Sequence, residues 1–116
     1  MPNLRSVGLF RLFALAFALA AAYHALPLID HDLPIAGPHW RHGLFVVIDS
    51  AYCGLLWRRP RWLPIPLALL TIYSLWSHGT HAWKLWHIER QMDWLSLVVI
   101  VGLPIILMAS LRTAPR

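Results

Sequence analysis

The chain is predicted to be all-α: an integral membrane four-helix antiparallel bundle, with the N- and C-termini both on the cytoplasmic side. Three observations predict this. First, 59% of the 116 residues are hydrophobic and only 13% are charged, whereas a soluble domain carries about a quarter charged residues; no charged shell can cover such a chain. Second, the charges cluster between long apolar runs. Third, those runs are about 16 to 22 residues long, close to the roughly 20 that a helix needs to cross the hydrocarbon core.

The elements follow in order. Span one covers about 9–29, span two about 42–57, span three about 62–83 and span four about 94–111, together forming one transmembrane domain over 1–116. Span two is short, and either sits upright or extends upstream through Trp40. Pro34 and Pro38 break the first loop and Pro60 the second, whereas Pro64 and Pro66 fall in the first turn of span three, where proline is tolerated. Pro104 lies inside span four and is expected to kink it. Short connections favour antiparallel neighbours.

Orientation follows from the basic residues. Arg5, Arg11, Arg58, Arg59, Arg61, Arg112 and Arg116 fall on one side, and Arg41, Lys84 and Arg90 on the other. The side richer in Lys and Arg is cytoplasmic. Trp40, Trp57, Trp62, Trp83, Trp86 and Trp94 lie near the span ends, where amphipathic rings favour the interface. Arg5, Arg11 and the small residues Ala20, Ala21 and Ala22 also fit a cleaved signal peptide, but apolar character continues through Leu26, Leu28 and Ile29. The net charge of +5 punctuates apolar runs and does not line a polar face, which argues against nucleic acid as a partner. The partner is the lipid bilayer of a cell (inner) membrane, with a homo-oligomer or a larger membrane complex as a further expectation. One cysteine, Cys53, permits no intrachain disulfide and reads as a small packing residue.

The histidines carry the functional signal. His24, His31, His39, His42, His78, His81 and His87 all fall in the outer half, with Asp30, Asp32, Glu89 and Asp93. Positive-inside bias explains the arginines but not this segregation. At about 1.5 Å per residue, His24, His42 and His78 each lie roughly 22 to 24 Å from the cytoplasmic boundary, and His81 is a turn further out. Thr71, Ser74, His78 and His81 form one helical stripe; His42, Asp49 and Cys53 form another. In a membrane such stripes face the bundle interior.

Asp49 is the sharpest single feature, because a carboxylate at that depth costs roughly 2.5 kcal/mol or more and needs a partner or a proton. It either carries a proton and bonds Ser74 or Thr71, or stays ionised beside a histidinium. Its role is then either a clamp between spans two and three or the handling of a ligand, proton or substrate. The pairs His39/His42 and His78/His81 have the three-residue spacing that can share an ion. They can equally bond headgroups and water, or sense pH. His24, His42, His78 and His81 are the candidate ligands for a divalent metal or haem. The Asp30-His31-Asp32 triplet reads as solvated loop. Span four, with Ser96, Gly102 and Ser110, reads as scaffold.

Two stretches resemble known families. Asp30 ending span one, Trp40 before span two, Asp49 within it, Ile72-Tyr73-Ser74 in span three and Pro104 in span four give a layout similar to the EXPERA group of four-helix membrane proteins, which includes sterol isomerases. That resemblance implies a sterol- or lipid-like ligand with Asp30 and Asp49 as polar anchors. His81-Ala82-Trp83 with Trp86 resembles a short stretch of the haem-anchoring subunits of succinate dehydrogenase. The expected function is a membrane protein whose His/Asp-lined polar cavity opens outward and binds a metal, haem or small lipid-like ligand. The alternatives are an acid/base enzyme, with Asp49 as its candidate catalytic group in lipid or sterol double-bond isomerisation, and a non-catalytic helical subunit. A transporter of four spans would have to dimerise to enclose a path.

Overall fold

The computed structural model describes residues 3–113; Arg116, counted above among the cytoplasmic arginines, lies outside them. The described residues form four α-helices and no strand: α1 Leu4–Ile29, α2 His39–Arg58, α3 Pro64–Lys84 and α4 Trp94–Thr113, with a π-helical turn Leu85–Glu89 extending α3. They divide into two compact units between Pro60 and Arg61, each a pair of consecutive helices.

In the first unit α1 starts ahead of its apolar run. Asn3 caps it, accepting a bond from the Arg5 amide at 3.2 Å, and Ser6 Oγ donates to the Asn3 carbonyl at 2.7 Å. Caps satisfy backbone groups that would otherwise stay unpaired. The helix closes at Asp30, whose amide donates to Leu26 at 2.9 Å. The face that α1 turns toward α2 runs through Phe10, Ala14, Phe17 and His24. On α2 it runs through His42, Phe45, Asp49, Tyr52 and Leu56. These steps of three, four and seven residues keep one helical face. Phe17 stacks on Tyr52 at 5.4 Å, His24 lies against Phe45 at 5.0 Å, and the Arg59 guanidinium sits 5.7 Å from the Phe10 ring. Arg59 ends α2 in the left-handed region, φ 53°.

In the second unit Pro64 and Pro66 occupy the first turn of α3. Leu67, Thr71 and Ser74 are buried on α3, and Ser96, Leu103, Ile106 and Ser110 on α4. α4 runs on through Pro104. The π-helical turn packs the His87 ring on Trp83 at 3.9 Å, and His87 Nδ1 donates to the Trp83 carbonyl.

Two of the four helices, Leu4–Ile29 and Trp94–Thr113, are long and apolar enough to cross a membrane. α2 and α3 have 20 and 21 residues, enough length, but their polar residues dilute the apolar character. His39, Arg41, His42, Asp49 and Arg58 do this in α2, and Ser74, Ser77, His78, Thr80, His81 and Lys84 in α3. The long apolar runs expected of all four spans are therefore met by the first and last helices.

Candidate functional site

The first unit holds a chain of polar groups that starts in the loop and ends at Asp49. Gly37, at φ 107°, takes a conformation that side chains rarely adopt, and with it the loop presents the Ala36 carbonyl to the start of α2. His42 Nε2 lies 3.0 Å from that oxygen. A carbonyl only accepts, so His42 carries its proton on Nε2 and, as a neutral ring, accepts at Nδ1. His24 Nδ1 lies 3.0 Å from His42 Nδ1 and must therefore be the donor. That leaves His24 Nε2 as an acceptor in the neutral ring. It faces Asp49 Oδ2 at 4.0 Å.

Asp49 is 7% exposed, and its Oδ2 has no hydrogen-bond partner among the described residues. The accepting His24 Nε2 thus faces an unpaired carboxyl oxygen, which accepts as well when Asp49 is ionised. Such an orphan is unusual, since buried polar atoms are overwhelmingly paired. His24 and His42 share one level, as their depths along α1 and α2 imply. Thr71, an expected partner for Asp49, gives its single hydroxyl hydrogen to the Leu67 carbonyl at 2.7 Å. Ser74 is buried on the same α3 face. Cys53 is half-buried.

A second cluster lies in the second unit at the start of α4. Asp93 precedes α4 and caps it: Oδ1 accepts from the Ser96 amide at 3.1 Å and Oδ2 from the Ser96 hydroxyl at 2.5 Å. His81 Nδ1 donates to Oδ2 at 2.6 Å. Because the Ser96 hydrogen goes to Asp93, His78 Nδ1, 2.9 Å from Ser96 Oγ, is a donor as well. Burial pushes the Asp93 carboxyl up, but the bonds from Ser96 and His81 outweigh it and hold the group below the ordinary carboxylate range. Ser96, read from sequence as scaffold, is thus corrected to the link between His78 and Asp93. The signal for it was an acid followed three residues later by a hydroxyl at a helix start, the spacing of a helix cap.

His31 Nδ1 lies 2.9 Å from His39 Nε2 across the first loop, both exposed. His39 and His42 therefore bond different groups, and so do His78 and His81. Among the described residues no three His, Cys, Asp or Glu side chains are grouped to hold a metal ion. Comparison with family models, with curated proteins and with solved structures finds no match.

Proposed function

We propose that the chain is a four-span membrane protein with both termini in the cytoplasm, and that its polar site, reached from the outer side, binds a small ligand at Asp49 and His24. The observation that carries this reading is the unpaired, buried Asp49 Oδ2 facing a second acceptor. Such an atom is costly to leave unmade and marks a place where a donor belongs. The membrane assignment is supported by an inverted pattern of burial. Leu19, Val47, Leu69 and Val98, one on each helix, are 66–72% exposed, while His42, Asp49, Thr71, Ser74, Ser96 and Ser110 are buried. That arrangement suits lipid as the surrounding solvent. In α2 and α3, His42, Asp49, Thr71 and Ser74 are buried and His39, His78, Thr80 and His81 are bonded, while Arg41, Arg58 and Lys84 stand exposed near the helix ends.

A divalent metal or haem iron, the ligand set expected at His24, His42, His78 and His81, has less support, since His42 Nε2 is taken by Ala36 and His81 Nδ1 by Asp93. A small polar or lipid-like molecule carrying a hydrogen-bond donor fits the first-unit site better. The enzymatic alternative draws on the same chain, because the His24–His42 pair is oriented to pass a proton away from Asp49. Protein purified in mild detergent should retain a small molecule by native mass spectrometry and lose it in Asp49→Asn and His24→Ala. A Soret band or stoichiometric metal would favour the haem or metal reading. Lipid isomerisation abolished by Asp49→Asn would favour the enzyme. Co-purifying membrane proteins with no bound molecule would favour the subunit reading and overturn the binding one.

A further inference from the structure

The geometry points to the chemical class of that ligand: we propose that His24 Nε2 and Asp49 Oδ2 are the two arms of a site for a primary ammonium group. The inference rests on the binding reading above and narrows it. The chain Ala36, His42, His24 fixes the imidazole hydrogens so that His24 Nε2 accepts, and an ionised Asp49 Oδ2 accepts as well. The group between them must therefore bring two hydrogens.

The gap of 4.0 Å sets where that group sits. A nitrogen about 2.8 Å from each atom, the usual hydrogen-bond distance, subtends roughly 90° between them. Two hydrogens of an ammonium diverge by about 109°, so both bonds stay well within the near-linear range. An alcohol has one hydrogen and can serve only one arm. A metal ion bonded at about 2.1 Å to both atoms would be forced to an angle of roughly 145°, far from the tetrahedral arrangement of zinc, with two protein ligands instead of three or four. A quaternary ammonium has charge but no hydrogen to give.

Charge decides between an ammonium and a water molecule. A buried carboxylate beside a neutral acceptor needs a positive partner, and water does not supply one. The same chemistry occurs in free alkylammonium ions and in the headgroup of an ethanolamine phospholipid.

The test uses the full chain with 15N-labelled histidine in phosphatidylcholine nanodiscs at constant ionic strength. Methylammonium should shift the His24 Nε2 resonance saturably, whereas tetramethylammonium, equal in charge but without N–H groups, should not. Asp49→Asn, of nearly the same shape, should weaken the response by about tenfold or more, a loss typical of a charge-assisted bond. His24→Gln, read through the Phe45 ring, checks the second arm. Replacing part of the lipid with phosphatidylethanolamine distinguishes the sources: a matching shift without added amine assigns the headgroup, and a shift with methylammonium alone assigns a soluble amine. Equal responses to both ammonium ions, or a proton already on His24 Nε2 without ligand, would overturn the proposal. No response to any amine while another molecule is retained through Asp49 would sink the ammonium assignment and leave the binding reading standing. No molecule of any kind held at Asp49 would remove both.

Discussion

Removing the Asp93 side chain tests how the second unit is held together. Asp93→Ala deletes three accepted bonds: one from the Ser96 amide, one from the Ser96 hydroxyl and one from His81. Loss of a helix cap costs about 1 kcal/mol. Loss of a largely buried bond to a charged acceptor costs about 1.5 kcal/mol. The His81 contact adds at most about 0.5 kcal/mol, because that ring is 64% exposed and water screens it. These contributions overlap, so the expected loss is about 2 to 3 kcal/mol, or roughly 30- to 150-fold in the local opening constant. Amide hydrogen exchange in lipid reads this at Ser96 and Leu97, the first amides tied to Asp93. Asp93→Asn, which can still accept from the amide, should lose less, and His81→Ala should change the rates less than fivefold, in keeping with an exposed pair. Unchanged protection in Asp93→Ala, or an equal loss in His81→Ala, would show that Asp93 does not hold the start of α4.

Further expectations follow from the same contacts. The Asp93 carboxyl is held below its ordinary range, so the stability that it confers is complete above the unfolded value and is lost as pH falls through the folded one. Exchange protection at Ser96, corrected for intrinsic rates, should stay flat from neutrality and drop only below about pH 4; a drop near pH 6 would contradict this. Gly37→Ala places a side chain at φ 107° and should cost about 1 kcal/mol or more. It should also loosen the Ala36–His42 bond, seen as faster exchange of the His42 ring proton, and an unchanged ring proton would count against the loop's role. Leu67, fully buried, should cost about 2 kcal/mol on change to alanine, the lower part of the usual range because lipid replaces water as solvent. Denaturation in mixed detergent micelles measures it, and a loss under about 0.5 kcal/mol would show that the site is not packed.

Sequence pattern located four helices, because proline and arginine bound them, although only α1 and α4 have the long apolar runs expected of every span. It misplaced the start of α1, since the Asn3 cap extends the hydrogen-bonded helix beyond the apolar run to Leu4. The π-helical turn at Leu85–Glu89 has no counterpart in periodicity, as it depends on one bond pattern at a helix end. Counting residues along α1 and α2 set His24 beside His42 and Asp49 within reach. The tautomers were beyond sequence, since they depend on the Ala36 carbonyl, a backbone atom with no sequence signature. Asp93 was legible as an outer acid but not as the centre of a cluster, because hydropathy assigned Ser96 to an apolar span and missed its cap spacing.

The histidine chain ends in an acceptor, His24 Nε2, facing Asp49. Nitrogen-15 NMR of histidine-labelled protein in lipid at neutral pH reads it directly. His42 should be protonated at Nε2 alone and His24 at Nδ1 alone. A proton on His24 Nε2, whether as the other tautomer or as the imidazolium, would contradict it.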